Sequence, residues 1–418
     1  MQQWRISMEQ INYHFLSALD AEFGTPYYIM DGQQYKDNIR NFLHAFSVHY
    51  PKVIAGYSFK TNYVPALCKI AKEEGVFAEV VSEMEYALAK KLGFEQIIFN
   101  GPIKKEAVLK AALNEGCIVN LDSWYEVETV LAFQKERNYQ HLGVGIRLNV
   151  DLKGEDGVSH VQCGLREGRF GFTKELLPKV VKQLSDAHVD IISIHGHTSS
   201  SDRAVQNYCL ITKQMLAVCE QYSLNKVAYF DVGGGFFGAA AKGIDVSNKP
   251  KYEDYAQAIL NLALNNAWFQ KIQPYIVIEP GVSVVANVFH YVSKLFQHKV
   301  INGQHFMSTD GSVFDVKPTL HSNNLPHEVF LSQPTTQQHT YNVVGSTCME
   351  KDVILKEVEL PEMKHGDYLM IHGVGAYTVS LTPTFINFLS PILCLENGGV
   401  SVVRRRQNIE DITELYNW

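Results

Sequence analysis

Eight short runs of apolar and β-branched residues recur between residues 53 and 278, and segments of helical period separate most of them. The runs are Val53–Phe59, Phe77–Val81, Ile97–Phe99, Cys117–Leu121, Val144–Leu148, Ile191–Ile194, Val227–Val232 and Tyr275–Ile278. Between them Met84–Lys91, Lys104–Asn114, Ala204–Tyr222 and Tyr252–Trp268 repeat their apolar positions as helices do. A strand that faces water on one side alternates; runs this continuously apolar belong to parallel strands covered on both faces. Eight β–α units over roughly 230 residues have the size of a (β/α)8, or TIM, barrel. The gap from Leu148 to Ile191 is longer and carries a Gly-rich loop, Gly154–Gly171, before its helix.

From Val284 onward the texture changes to Val, Phe, Thr and turn residues with few helical stretches. That predicts a second, antiparallel β domain. The expected division is a barrel over 31–283 and a β domain over 284–418, joined by residues 1–30. A chain of 418 residues is long enough for two domains, and 46% hydrophobic residues are enough to fill both cores.

Charge and cysteines remove several classes of function. A net charge of −7 argues against a nucleic-acid surface, and the single basic run, Arg404-Arg405-Arg406, reads as a solvated strand end. The seven cysteines are scattered and form no C-x-x-C pair, so neither a disulfide framework nor a zinc knuckle is expected. The N-terminus lacks the apolar stretch of a signal peptide, and Val374–Leu395 is broken by Pro383 and Pro391. A cytoplasmic protein without a membrane span is expected.

Barrels of this kind build their chemistry at the C-terminal ends of the strands. Those ends carry Lys60, Ser82, Asn100, Asp122, Asn149, His197, Gly233 and Glu279. A lysine that ends an apolar strand is often only its first solvated residue. In a barrel mouth it would be partly desolvated, which lowers an ammonium's pKa and permits Schiff-base chemistry. The run Asp231-Val232-Gly233-Gly234-Gly235-Phe236-Phe237-Gly238 formally satisfies G-x-G-x-x-G, but it follows the seventh strand of a series where a dinucleotide fingerprint follows the first. It reads better as a phosphate cradle of backbone N–H groups, a device that barrels place after strands seven and eight. Gly281 in Glu279-Pro280-Gly281 adds to it. His195-Gly196-His197 has a metal-like spacing without an evident third ligand nearby, so a ring packed against an aromatic cofactor is expected and a metal is not.

Taken in order, these motifs resemble the fold-type III pyridoxal-phosphate enzymes, specifically the diaminopimelate, ornithine and arginine decarboxylase superfamily. The resemblance runs through Tyr57-Ser58-Phe59-Lys60-Thr61-Asn62, Ser82-Glu83-Met84-Glu85, Arg169-Phe170-Gly171-Phe172, His195 to Ser200, Gly233–Gly235 and Glu279-Pro280-Gly281. It continues beyond the barrel with Asp310-Gly311, Cys348, Asp352 and Gly375-Ala376-Tyr377. It implies pyridoxal 5'-phosphate held by Lys60 as a Schiff base, with Lys60 later returning a proton to the substrate carbon. His197 would stack on the pyridine face; Ser200, Gly234, Gly235, Gly281 and Tyr377 would hold the phosphate; Glu279 would pair with the ring nitrogen, and Arg147 would support this group from below. Cys348 would be a catalytic thiol lent by the partner subunit of a homodimer.

The chemistry agrees with that implication. Loss of an α-carboxylate leaves a carbanion that this cofactor delocalises, and a carboxylate at the ring nitrogen deepens the electron sink. Racemases of the same barrel class place an arginine there, so Glu279 favours a decarboxylase over an amino-acid racemase or epimerase. A non-catalytic carrier of the cofactor would resemble the barrel alone.

At the substrate end the pattern departs. Diaminopimelate decarboxylases usually have arginine after Glu-Pro-Gly, where this chain has Val282. They usually have Arg-Pro-x-Leu-Tyr in place of Lys317-Pro318-Thr319-Leu320-His321, and glutamate in place of Met349 after the cysteine. Nor is there the adjacent Cys-Asp pair of ornithine decarboxylases, since Asp352 lies four residues after Cys348. Valine cannot replace a bidentate arginine fork, and lysine replaces it only in part. An amino acid with a neutral, larger or conjugated distal end is therefore expected, with Val282, Lys317, His321, Met349 and Asp352 around it.

Overall fold

A computed structural model describes residues 8–153, 168–200, 202–396 and 398–417. Eight parallel strands close into a barrel: Val53–Ser58, Phe77–Val80, Ile97–Phe99, Ile118–Leu121, Leu142–Arg147, Val189–His195, Tyr229–Asp231 and Tyr275–Ile278. The last pairs with the first through Val53 opposite Ile276 and Ala55 opposite Ile278, so no edge is left open. Each strand lies within a few residues of an apolar run in the sequence. Most of the Gly-rich loop Gly154–Gly171 falls outside the described residues.

Side chains on a strand alternate between its two faces, and here the faces divide the barrel chemically. Outward residues such as Tyr57, Val80, Phe99, Leu121, Ile146, Ile194, Phe230 and Ile278 join one apolar core with the surrounding helices. Inward residues begin with a separate apolar layer of Ile98, Ile118 and Val277, with Ile54, Phe77 and Tyr229 packed on it. Two residues further along, the same inward rows become polar, with Glu79, Asn100, Asn120, Asp231 and Glu279, all buried. The barrel is thus a packed apolar plug below and a polar well above.

One expected helix is divided. Tyr252–Trp268 forms two helices, Tyr252–Leu264 and Ala267–Ile272, because the Asn266 side chain caps the second by accepting the Phe269 N–H.

The second sheet is mixed. Seven of its nine strands run in the order Val353–Pro361, Gln338–Val344, Gln304–Thr309, Phe289–Ile301, Tyr27–Asp31, Ile392–Glu396, Gly399–Arg404, while Tyr368–His372 pairs with Phe289–Ile301 and carries His327–Phe330 on its other side. Most neighbours are antiparallel, but Tyr27–Asp31 runs parallel to Ile392–Glu396 and Gln304–Thr309 parallel to Gln338–Val344. The N-terminal strand lies between two strands from beyond residue 288, so the ends of the chain meet in one sheet. Loops from this sheet reach the barrel mouth: the Tyr377 N–H and the Ser380 hydroxyl both donate to the Thr61 carbonyl, and Asn62 donates to the Gly375 carbonyl.

Candidate active site

A cavity of about 150 Å³ opens over the polar well, lined by Ser58, Lys60, Thr61, His197, Ser199, Ser200, Arg203, Gly234, Gly235, Glu279, Gly281, Val282 and Tyr377. A larger hollow of about 600 Å³ around Asp190 and Lys226 sits at the opposite, N-terminal end of the barrel, where side chains serve stability.

Lys60 lies in a short 3-10 turn that ends the first barrel strand, with its ammonium 2.9 Å from Glu79 Oε2. The Ser58 hydroxyl donates to the same oxygen at 2.5 Å, and Asn100 Nδ2 bridges Glu79 Oε1 and Glu279 Oε1 at 3.0 and 2.5 Å. Asn120 then donates to Asn100 Oδ1 at 2.8 Å. A hydrogen-bonded line therefore crosses the barrel from the lysine to the eighth strand. It corrects the expectation of a lowered lysine pKa. Burial does pull the ammonium down, but the carboxylates of Glu79 and Glu279 outweigh it and hold Lys60 above the ordinary lysine value.

Glu279 meets two more groups, both from other strands of the barrel. His195 Nε2 lies 3.7 Å from Glu279 Oε2, and ligand atoms of His195, Asp231 and Glu279 all fall within 4.8 Å of one another. The third group near the histidine pair was not evident in the sequence; in space it is two carboxylates, and they gather at His195, not at His197. Burial and the neighbouring Glu279 push the Asp231 carboxyl well up, while Asp231 Oδ1 accepts the Gly233 N–H.

His197 forms a wall of the cavity. Its Nδ1 accepts the Gly234 N–H at 3.1 Å, which leaves the proton of the neutral ring on Nε2. Burial and the nearby Arg147 push its pKa down to about 3, so the ring is uncharged at every ordinary pH. Arg147 donates to the His197 carbonyl and to Asp122 Oδ2, both at 3.0 Å, and so fixes the loop from beneath.

The glycine positions are required by close approach. A Cβ on Gly234 would strike the Glu279 carbonyl oxygen, and one on Gly281 the Thr61 hydroxyl. Gly233 and Gly235 hold φ of 72° and 91°, a region side chains disfavour. The donor set is a carbonyl-reactive amine, a flat neutral ring, a backbone anion cradle and a buried carboxylate opposite it. That set fits a phosphorylated pyridine aldehyde.

The structure brings Lys60, His197, Ser200, Gly234, Gly235, Glu279, Gly281, Val282 and Tyr377 to one cavity, with Arg147 beneath them. It places the other expected residues elsewhere in the chain. Cys348 is exposed and Met349 half-buried in the loop after Gln338–Val344, and His321 is exposed. Lys317 is buried with its ammonium on the Asn323 carbonyl at 3.3 Å. Asp352 is buried and engaged: it accepts the Val313 and Thr347 N–H groups and the Ser312 hydroxyl, which makes it an organiser of its own loops. Glu79 was missed, although an acid two residues after Phe77 in an otherwise apolar strand is the signal that marks it.

Residues 36–286 match the family model described as the pyridoxal-binding domain of pyridoxal-dependent decarboxylases. Diaminopimelate decarboxylase from Helicobacter pylori strain J99 is 28% identical over 411 residues, covering 94% of this chain and 96% of that protein. The enzyme of the same name from Bacillus subtilis strain 168 is 26% identical over 421 residues, covering 95% and 92%. The crystal structure of the Helicobacter pylori enzyme complexed with L-lysine superposes with a TM-score of 0.82 at 25% identity, covering 96% of this chain and 98% of that one.

Proposed function

This chain belongs to the pyridoxal-dependent decarboxylases, and from that premise we propose that Lys60 holds the pyridoxal phosphate and that the substrate is an amino acid with a neutral or conjugated distal end. The chain is a carboxy-lyase of amino acids that uses pyridoxal phosphate. The observation that carries the site reading is the convergence of Lys60, His197, Glu279 and the three glycines on a single cavity.

The cofactor supplies an electron sink for the pair of electrons released when the α-carboxylate leaves. The protein's residues then have separable tasks. Lys60 would hold the cofactor through its amine, and that amine is placed to return a proton to the substrate's α-carbon. His197, neutral and fixed by Gly234, would pack its ring against the cofactor. Ser200 and the N–H groups of Gly234, Gly235 and Gly281 would hold the phosphate, with Tyr377 on the same cavity wall. Glu279, oriented by Asn100 and backed by His195 and Asp231, would keep a proton on the ring nitrogen.

The active unit in this reading is a homodimer. Cys348 lies outside the cavity lining of its own chain. The segment that begins with Tyr377 leaves Tyr377, Leu381, Phe385, Ile386 and Phe388 exposed, an apolar surface that a second copy would cover. A cytoplasmic location is supported by the free state of all six described cysteines. No helix among the described residues is long and apolar enough to cross a membrane. The working division remains a barrel over 31–283 and a β domain over 284–418 with 1–30.

The relatives named diaminopimelate decarboxylase favour a second reading, with free diaminopimelate as substrate. Val282 on the cavity wall weighs against it, since valine offers no ion pair in exchange for the hydration a free carboxylate loses on entering beside it. The test compares kcat/KM, read as carbon dioxide release, for diaminopimelate, lysine, ornithine, arginine and conjugated α-amino acids. Loss of one charged hydrogen bond of about 1.5–3 kcal/mol should leave diaminopimelate roughly ten- to a hundredfold behind the best conjugate. Diaminopimelate as the best substrate would overturn the proposal and favour the second reading.

A further inference from the structure

Arg203 stands on the wall of the same cavity, and nothing above assigns it a task. It lies between the sixth barrel strand and the helix Val205–Gln221, with a backbone φ of 52° that a residue bearing a Cβ adopts only when held there. Two bonds hold it. Its N–H donates to Ser200 Oγ at 3.2 Å, and its carbonyl accepts the Tyr255 hydroxyl at 2.6 Å. The Tyr255 oxygen also accepts the Phe237 N–H, and the adjacent Tyr208 hydroxyl donates to the Gly234 carbonyl at 2.8 Å. The same pair of phenols therefore ties Arg203 to the glycine run. Burial pushes both phenols up, and the charge of Arg203 acts against that rise on each, which places the guanidinium in their neighbourhood.

Among the described residues no carboxylate forms an ion pair with the Arg203 guanidinium. Lys60 is the other full cation on the cavity wall, and Glu79 already neutralises it. A phosphate monoester carries about −1.5 to −2 charges at pH 7, and backbone N–H groups supply only partial charges against it. A planar guanidinium can take two of its oxygens at once.

We propose that Arg203 is a further ligand of the cofactor's phosphate, closing the cradle formed by Ser200, Gly234, Gly235 and Gly281. This rests on the reading of the cavity as the cofactor site. The test strips the cofactor from the purified protein and titrates it back with pyridoxal phosphate and, separately, with pyridoxal, which lacks the phosphate. Occupancy is read as the fraction fixed on Lys60 by borohydride. Arg203→Gln should weaken pyridoxal phosphate about ten- to a hundredfold and leave pyridoxal unchanged. Arg203→Lys, which keeps the charge without the fork, should fall between. Unchanged binding of both ligands, or equal weakening of both, would overturn the proposal; the second result would mean that Arg203 acts by shaping its loop. If the unaltered protein fixed neither ligand on Lys60, the cofactor assignment would fall instead.

Discussion

The Lys60 ammonium sits 2.9 Å from Glu79 Oε2, and through Asn100 that carboxylate is linked to Glu279 on the far side of the barrel. The lysine that must become a neutral amine to attack a carbonyl is thus held in its charged form by a buried acid.

From that pair follows a pH dependence with a definite sign. Because the folded protein raises the Lys60 pKa, the reactive amine is scarce at neutral pH. In protein stripped of cofactor, the rate of pyridoxal phosphate capture should rise with pH through the neutral range, by roughly tenfold per unit while Lys60 limits the reaction. Glu79→Gln removes the closest stabilising charge, so capture at pH 7 should speed up by about tenfold or more. Stopped-flow absorbance measures both. A flat profile, or slower capture by Glu79→Gln with its fold intact, would contradict the electrostatic account.

Glu279 should control turnover more than cofactor retention. Its carboxylate faces the barrel interior, while the glycine cradle is backbone and survives its replacement. Glu279→Gln should lower kcat on the order of a hundredfold and still retain cofactor on Lys60. Loss of the bound cofactor with normal turnover of whatever remained would place Glu279 in a structural role.

Much of this site can be read from the chain because strand ends are punctuated. Lys60, Glu279 and the run Gly233–Gly235 each interrupt an apolar segment, and barrels put such interruptions on one rim. The inner polar rows are harder to see. Glu79 and Asn120 lie inside strands, and only their spacing of two from the apolar neighbours Phe77 and Ile118 marks the inward face. The pairing of Lys60 with Glu79 depends on strand register, which no local pattern specifies. The same holds for the parallel pairs of the second sheet, since Tyr27–Asp31 finds its partner Ile392–Glu396 at the other end of the chain. Asp352 shows the converse error: an acid close to a candidate thiol in sequence turns inward to satisfy backbone N–H groups.

A site shared between two subunits has a quantitative signature. Lys60→Ala and Cys348→Ala should each be inactive or nearly so. After full subunit exchange at equal concentrations, half of the dimers are mixed and each owns one intact site, so about one quarter of native activity should return. No recovery despite demonstrated exchange would mean that Cys348 serves the site of its own chain or none.

Whether Lys60 carries the cofactor is read from the mass spectrum of the borohydride-reduced protein after proteolysis. One pyridoxyl adduct is expected, on the peptide containing Lys60, and none in Lys60→Ala. Lys104 is the instructive control, because burial lowers its pKa where that of Lys60 is raised, yet it is locked to Glu126 and does not line the cavity. An adduct on Lys104 or any other lysine, with Lys60 unmodified, would contradict the account.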